Sequence, residues 1–345
     1  RSLRQTRLTR LPMNVIYIVC HDLGRHLGCY GRGVKTPHLD QFAAEGLRFD
    51  RAFCNTAVCS PSRAACLTGR YAHENGMVGL AHFGWRIRPG VKTVVDYFNE
   101  GGYETVHCGF SHEGEENRSR YQTDFEVSWD SIYADSAVDD AIAWLRARSR
   151  QGRRQPFYMN VGTQEVHPSI WTKDEDAPGV PSRLHRTYGG PVPPEAAEVP
   201  EPTPDIPLTR ELFGRFESCI RYLDGQVGRL MAAIRRLGLD EDTLVIFSTD
   251  HGMVDWRGKG DLYDRGTEIA LLAQPPKAWG TAPAACPRMI QNIDLTPTLL
   301  EAADLPVPGD LPGRSFLPLL RGRPADYVPH EAIFLEWNFG GPQDD

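Results

Sequence analysis

Apolar and polar positions alternate along the chain between short β-rich runs and longer helical patterns. Apolar runs of four to six residues predict strands at 15–20, 105–108, 157–161, 244–248 and 269–272. Helical periodicity predicts helices at 39–45, 94–99, 134–148, 212–237 and 296–303. Strands that alternate with helices in this way are typical of an α/β protein, so the pattern predicts a mixed sheet with crossover helices.

Three segments depart from this alternation. Residues 174–207 contain nine prolines, which predict a loop that crosses the surface or lines a site. Residues 1–12 are basic but lack the apolar core of a signal peptide, so we expect a leader or an appended remnant there. We expect one large α/β domain over 13–325, and 326–345 to begin a further subdomain, with a strand starting near 332–337.

Composition excludes several classes of protein. The net charge of −7 argues against a general nucleic-acid or polyanion binder. The sequence has no apolar run of about 18 residues, so no membrane span is expected. Eight cysteines without regular spacing predict neither a disulfide scaffold nor a zinc site. These features slightly favour a cytoplasmic protein, with a periplasmic or secreted one as the alternative if a signal has been removed.

The segment with the clearest chemistry is CSPSRAACLTGR at 59–70. Cys59, a nucleophilic side chain, stands just before Pro61 at the start of a helix predicted over 62–67, and proline is favourable in a first helical turn. Unpaired N–H groups and the positive end of a helix favour anions, and Arg63 adds charge. The segment therefore predicts an anion site beside a nucleophile; the alternative is a buried structural cysteine.

Acidic residues with histidine neighbours follow two of the predicted strands. The first strand is followed by His21 and Asp22, and the strand at 244–248 by Asp250 and His251. Ligands of α/β sheets gather at the carboxyl ends of strands, so these side chains can converge on one divalent cation. Carboxylates suit Ca²⁺ or Mg²⁺, and imidazoles shift the preference toward Zn²⁺ or Mn²⁺. The alternative is that both acids only cap helices.

The pattern Cys-x-Pro-x-Arg followed by Leu-Thr-Gly-Arg resembles the signature of the type I sulfatases, formylglycine-dependent members of the alkaline phosphatase superfamily. The resemblance is closest to the heparan N-sulfatase (sulfamidase) type, through Asn75-Gly76-Met77, residues 242–247 and the spacing from Asp250 to Lys259. It implies a large, mixed, mostly parallel central sheet flanked by helices. It also implies that the family's small C-terminal sheet subdomain is truncated or largely missing here.

The resemblance also implies a cofactor and the roles of the residues that bind it. Cys59 is expected to be oxidised by a formylglycine-generating enzyme to the catalytic formylglycine. A divalent metal, Ca²⁺ above the other ions, is expected on the five residues His21, Asp22, Cys59, Asp250 and His251. Asp22, Asp250 and His251 match the family directly, whereas His21 stands where a carboxylate is usual.

The remaining catalytic roles implied by the resemblance fall on four residues. Arg63 would act on the attacking hydroxyl, and His112 would contact the formylglycine. His167, in a His-Pro pair after a predicted strand, would protonate the leaving group, and Lys259 would contact the sulfate. Phe110 occupies a position at which the family has lysine. Substrate binding is predicted for His82, Trp171 and Arg265.

The function expected from these residues is hydrolysis of a sulfuric ester or sulfamate, with release of sulfate from a small molecule or an oligosaccharide. Two alternatives stay open. One is a phosphodiesterase or phosphonate monoester hydrolase of the same superfamily, because a phosphoryl group fits a similar site. The other is a homologue that binds an anion or glycan without catalysis, because His21 and Phe110 depart from the family.

Overall fold

The computed structural model describes residues 13–125, 132–168 and 192–338. They form an eight-stranded sheet with the order β4-β3-β5-β1-β6-β7-β2-β8. The strands are β1 Asn14–Cys20, β2 Leu47–Phe53, β3 Glu104–Gly109, β4 Thr123–Asp124, β5 Phe157–Gly162, β6 Thr243–Thr249, β7 Leu271–Gln274 and β8 Ala284–Gln291. Only β7 runs antiparallel to its neighbours, β6 and β2. The prediction of a mixed, mostly parallel sheet is confirmed.

Helices cover both faces of this sheet. They are α1 Pro37–Glu45, α2 Cys59–Thr68, α3 Ala72–Asn75, α4 Val94–Glu100, α5 Glu115–Arg118, α6 Ala134–Arg150, α7 Pro207–Arg236, α8 Asp264–Thr267, α9 Leu295–Ala302 and α10 Leu317–Leu320. The five helices predicted from periodicity are confirmed to within a few residues at most ends, and α7 starts five residues earlier than expected. None of the described helices combines the length and the apolar character that a bilayer crossing requires.

The central strand β1 shows why the sheet is buried on both faces. Its side chains alternate, so Ile16 and Ile18 join a core with α1, α6 and α7, whereas Val15 and Tyr17 join a core with α4 and α9. All seven residues of β1 are buried. A strand covered on both sides reads as a continuous apolar run, which is why β1 is recognisable in the sequence.

Three strands are absent from the sequence prediction, for identifiable reasons. β2 carries three charged residues among seven, because its outer face is only half buried. β8 lies at the edge of the sheet and contains Pro287, a residue that edge strands tolerate. β4 has only two residues. The strand predicted at 269–272 starts two residues later, at Leu271.

The prediction of a strand near 332–337 is wrong, because these residues have no regular secondary structure. This segment is instead tied to the body of the protein by single hydrogen bonds, such as that from the Glu336 amide to the Asn55 carbonyl (2.7 Å). The described part of the proline-rich segment, 192–206, contains one short 3₁₀ turn, as a loop prediction requires. The domain boundaries at 12 and 325 stay predictions.

Four parallel strands deliver side chains to one edge of the sheet. β1 lies between β5 and β6, and β3 lies on the other side of β5. Their carboxyl ends lead to Asp22, to Asp250, to His167 and to Phe110. The loops after β3 and β5 are held together by a hydrogen bond from the Phe110 amide to the Gly162 carbonyl (2.8 Å). The edge predicted to hold ligands is therefore the place where the chain gathers its polar residues.

The end of β5 is too crowded for any side chain, which yields a stability test. A Cβ at Gly162 would lie 1.9 Å from the Phe110 carbonyl oxygen, whereas a Cβ at Gly225, inside α7, would meet no atom within 4 Å. We expect Gly162→Ala to lower the free energy of unfolding by about 1–3 kcal/mol. Gly225→Ala should raise it by about 0.5–1 kcal/mol, because alanine favours a helix. Urea denaturation measures both, and similar effects would contradict the close approach of the two loops.

Candidate active site

Five side chains predicted as metal ligands meet at the carboxyl edge of the sheet. One ligand atom from each of His21, Asp22, Cys59, Asp250 and His251 lies within 4.8 Å of every other, and all five residues are buried. The residues come from the ends of β1 and β6 and from the start of α2. The structure therefore brings together the set that the sequence pattern suggested.

The carboxylates of Asp22 and Asp250 are neighbours inside this cluster. The Asp22 amide donates to Asp250 Oδ1 (2.9 Å). Asp22 has a φ of 53°, in the left-handed region, and this turn lets its amide face the second carboxylate. His21 Nδ1 lies 2.6 Å from Asp22 Oδ1 and 3.3 Å from Asp250 Oδ2. The two acids share the His21 imidazole, and the backbone amide of Asp22 donates to Asp250.

Cations on either side balance this negative charge. Lys259 Nζ donates to both oxygens of Asp22, at 3.0 and 2.9 Å, and Arg63 Nε donates to Asp250 Oδ2 at 3.0 Å. Burial alone would raise the pKa of each carboxyl group, but nearby positive charges, that of His21 foremost, hold both pKa values well below the ordinary range. Both acids are therefore ionised at neutral pH.

This donor set fits a divalent cation. Two ionised carboxylates lie beside two imidazoles and a sulfur, a combination that hard and borderline divalent ions accept. Burial would lower the pKa of His21, but Asp250 and Asp22 raise it to about 9, so without an ion the imidazole carries a positive charge. A divalent cation would have to displace that proton before His21 could bind it. The Nε2 of His21 is buried and has no hydrogen-bond partner within the described part of the chain. A buried atom without a partner indicates that the site is completed by another group.

Cys59 begins α2 inside the same cluster. Its Sγ lies 3.3 Å from His251 Nε2, and the residue is 2% exposed. Burial would raise the pKa of the thiol, but the charges of His21, His251 and Lys259 outweigh it and hold the pKa well below its usual value. Positive charges therefore favour the thiolate form of Cys59. Cys20 is the contrast, because burial raises the pKa of its thiol.

Arg63 lies one helical turn after Cys59 and is almost completely buried. Besides Asp250, its guanidinium donates to the Cys20 carbonyl (3.3 Å). Its Nη1 has no hydrogen-bond partner among the described residues, although the Glu113 carboxylate is 3.9 Å away. A buried N–H without a partner indicates that a further acceptor binds beside Cys59.

Phe110, at the position where the sequence comparison expects lysine, packs against two of these groups. The guanidinium carbon of Arg63 lies 5.1 Å from the Phe110 ring centroid, and the His21 ring centroid lies 5.0 Å away. The face of an aromatic ring attracts cations, so the ring stabilises its charged neighbours without adding a charge. Compared with the lysine that the resemblance implies, the Phe110 ring fills the space without a positive charge.

His112 and His82 form a stacked pair at the rim. Their rings are nearly parallel, at 4°, with His82 Nδ1 3.1 Å from His112 Nε2. Burial lowers the pKa of His112, although the Cys59 side chain partly offsets the shift. His112 is therefore neutral at neutral pH, and His82 lies exposed on its outer side. Both predicted residues are at the site.

His167 lies on the opposite side of the cluster. Its ring is 4.7 Å from that of His21, edge to face, and its Nε2 is 4.0 Å from Asp22 Oδ2. Burial and the charge of His21 lower its pKa to about 3, so the imidazole is neutral. Its side chain is 27% exposed, which places it at the opening of the site.

Of the predicted substrate-binding residues, Arg265 is held away from the cluster by other partners. The guanidinium of Arg265 is held by Asp255 and by the carbonyls of Pro200 and Glu201, and none of the described contacts joins it to Cys59 or Asp22. The structure therefore does not support a substrate contact for Arg265. Trp171 lies outside the described residues.

The sequence analysis missed the side chains that hold α2 in place. Ser62 Oγ donates to the Asp250 carbonyl (2.5 Å), and Asn292 Nδ2 donates to both the carbonyl and the hydroxyl oxygen of Ser62 (3.0 Å each). Asn292 lies in the short turn that precedes α9. Nothing in its sequence marks it, because its partner is 230 residues away.

Two solved structures share the fold of this chain. A solved 2-O GAG sulfatase superposes with a TM-score of 0.73 at 23% identity, over 94% of this chain and 78% of that chain. A phosphonate monoester hydrolase from Silicibacter pomeroyi superposes with a TM-score of 0.68 at 19% identity, over 92% and 78%. The chain therefore shares the fold of these two proteins.

Sequence similarity shows which family the chain belongs to. The N-sulphoglucosamine sulphohydrolase of Homo sapiens is 30% identical over 91% of this chain and 67% of its own length. The sulfatase family model matches residues 13–305. The chain belongs to the sulfatase family. It spans between 58% and 71% of the length of the first four curated relatives that it matches.

The buried cluster predicts a metal-dependent stability. A ligand that binds only the folded state stabilises it, by about 2.7 kcal/mol at 100 times its dissociation constant. We expect Ca²⁺, Mg²⁺, Mn²⁺ or Zn²⁺ to raise the Tm of the metal-stripped protein, measured by calorimetry. Asp250→Asn should abolish this rise. Asp124→Asn should keep it, because Asp124 also pairs with a histidine (His107, 2.8 Å) but lies outside the cluster. Equal rises in both variants would place the ion elsewhere.

Proposed function

We propose that the protein is a formylglycine-dependent sulfatase that releases inorganic sulfate from a sulfated carbohydrate, either an O-sulfate ester or an N-sulfamate. The observation that carries this proposal is the position of Cys59, whose side chain enters the cluster of carboxylates and imidazoles from the N-terminus of α2. The human relative, named as acting on N-sulphoglucosamine, supports a sulfated amino sugar as the substrate class.

The proposal requires two groups that the chain acquires. The first is formylglycine, made from Cys59 by a formylglycine-generating enzyme; its hydrate supplies one hydroxyl for attack on sulfur and a second for the release of sulfate. The second is one divalent cation, proposed to be Ca²⁺, held by His21, Asp22, Asp250 and His251 beside residue 59. When bound, such a cation supplies positive charge that favours an ionised oxygen nucleophile.

His112 is suited to take a proton in this reaction. Its pKa is lowered, so the imidazole is neutral and can accept the proton of a hydroxyl at residue 59. Its neighbour His82 is exposed and lies 3.1 Å away. His82 is therefore a hydrogen-bond partner for the His112 ring on the side that faces water.

His167 is suited to give a proton to the leaving atom. In the protein without substrate its pKa is about 3, so the ring is not an imidazolium at neutral pH. A sulfate ester beside it would bring negative charge, which raises the pKa of an adjacent imidazole and favours its protonated form. Its partial exposure at the opening fits contact with the leaving sugar.

Arg63 and Lys259 stabilise the charge on the transferring group. The Nη1 of Arg63 is an unused buried donor beside Cys59, and Lys259 reaches the cluster from the opposite loop. Fixed donors of this kind contribute about 2.7–4 kcal/mol each to transition-state stabilisation in other enzymes. The cluster therefore combines a nucleophile position, a base, an acid and two cations.

Substitution of residue 59 tests this assignment. Cys59→Ala removes the nucleophile and should lower kcat for sulfate release by about 10⁶-fold, the scale found for loss of a catalytic nucleophile. Circular dichroism and Tm serve as the control for folding. In the unsubstituted protein from a host that modifies sulfatases, mass spectrometry of the peptide should show a loss of about 18 Da at Cys59. Undiminished turnover by Cys59→Ala would refute the mechanism.

A phosphorus ester is the second candidate substrate, because a phosphonate monoester hydrolase shares the fold. We expect kcat/KM for 4-nitrophenyl sulfate to exceed that for 4-nitrophenyl phenylphosphonate with the same modified sample. A ratio in favour of the phosphonate would reassign the reaction while leaving the roles of the residues in place. Binding of both without turnover, with residue 59 modified, would favour a homologue without catalytic activity.

A further inference from the structure

Arg265 is bound at the centre of a small hub beside the active site. Its Nη1 donates to the carbonyls of Pro200 (3.2 Å) and Glu201 (2.6 Å). Its Nη2 contacts the Thr203 hydroxyl (3.3 Å), the Met253 sulfur (3.4 Å) and the Asp255 carboxylate. The side chain is 17% exposed and that of Asp255 is 13% exposed. One guanidinium thus joins residues 200–203 to residues 253–255.

The second of these segments controls where Lys259 lies. The Lys259 amide donates to the Met253 carbonyl, and the Gly258 amide donates to the Asp255 carbonyl, both at 2.8 Å. Two residues bound by Arg265 therefore also accept the hydrogen bonds that shape the loop before Lys259. The next residue, Gly260, donates to the Ala57 carbonyl (2.8 Å), two positions before Cys59.

The backbone of Arg265 supports the same region from behind. A Cβ at Gly252 would lie 1.7 Å from the Arg265 carbonyl oxygen, and the Gly252 amide donates to the Gly266 carbonyl (2.8 Å). Gly252 directly follows His251 in the cluster. The backbone of Arg265 therefore packs against Gly252, next to the cluster. Its guanidinium contacts Met253 and Asp255, farther along the same loop.

We propose that Arg265 is a positioning residue for Lys259. It acts through Met253 and Asp255, and it makes no contact with the substrate. This inference rests on the proposed function, in which Lys259 stabilises the charge on the transferring group and the departing oxygen. A lysine side chain is long and flexible, so a fixed loop is needed to aim its ammonium. Loss of the hub misplaces that ammonium.

The chemistry of the hub calls for arginine. Five acceptors surround it, two of them carbonyls on one segment and one a carboxylate on the other. A planar guanidinium has five N–H donors in a fixed fork and can bridge such groups, whereas an ammonium is a single point. Lysine at this position should therefore not replace arginine.

The test uses aryl sulfates whose leaving groups differ in pKa. A cation that stabilises the departing oxygen matters most when that oxygen is a poor leaving group. Lys259→Ala should therefore steepen the dependence of kcat/KM on leaving-group pKa. Arg265→Ala and Arg265→Lys should steepen it in the same direction, with about a tenfold loss for the poorest leaving group. In the Lys259→Ala background, Arg265→Ala should add less than about a twofold loss.

Arg210 provides the matched control. It also holds the proline-rich segment, through Asp205 (2.5 Å) and the carbonyls of Pro194 and Ala197, but it has no described contact with residues 253–260. Arg210→Ala should leave the dependence on leaving-group pKa unchanged. An equal loss for all leaving groups in Arg265→Ala, or a loss that adds fully to that of Lys259→Ala, would overturn the proposal.

A measurement without turnover separates this inference from the proposed function. Amide hydrogen exchange of Gly258 and Lys259 should accelerate in Arg265→Ala and stay unchanged in Arg210→Ala. If the native protein releases no sulfate from any ester, the proposed function fails, and exchange alone then decides whether Arg265 holds the loop. Unchanged exchange at both amides in Arg265→Ala would overturn the positioning role whatever the activity.

Discussion

The carboxylates of Asp22 and Asp250 lie side by side in the interior of the protein, and the rest of the site is arranged around their shared negative charge. Two buried like charges are costly unless cations and donors surround them. Here Lys259 binds one, Arg63 binds the other, and His21 contacts both. The same cations also define where an anionic ester can bind. The charges that stabilise the two buried acids therefore also form the binding site for the substrate.

This arrangement depends on the sheet and on one buried helix. β1 and β6 are adjacent and parallel, so the two acids that follow them leave the sheet at the same edge. Helix α2 then delivers Cys59 and Arg63 from a single face, and all ten of its residues are buried. Ser62 and Asn292 join this helix to the Asp250 backbone and to the start of α9. The site is therefore built from rigid elements, which favours fixed electrostatics over adjustment on binding.

Whether a structural feature can be predicted from the sequence depends on how far apart in the chain the interacting residues lie. Buried strands such as β1 and the long helices are visible because their periodicity is local, and the ligand set is visible because Cys59, Asp22 and Asp250 stand in recognisable motifs. β2 escapes because one of its faces is only half buried, and β8 escapes because it is a partly exposed strand at the edge of the sheet. Arg265 escaped for a different reason: a charged residue near a motif suggests substrate, whereas three of its five partners lie 62–65 residues earlier in the chain. Pairings of that kind are fixed only by the tertiary fold.

Phe110 has a consequence for the end of the reaction cycle. A bound sulfate ester carries one negative charge, whereas the sulfate ion that leaves carries two. A lysine at this position would attract the product more strongly than the substrate, because the extra charge would meet an extra cation. The neutral ring, packed on Arg63 at 5.1 Å, removes that bias. In a sulfate-releasing enzyme, such a site binds the incoming ester less tightly than a site with lysine would. It also binds the sulfate ion less tightly, so product inhibition is weaker and the ion leaves faster.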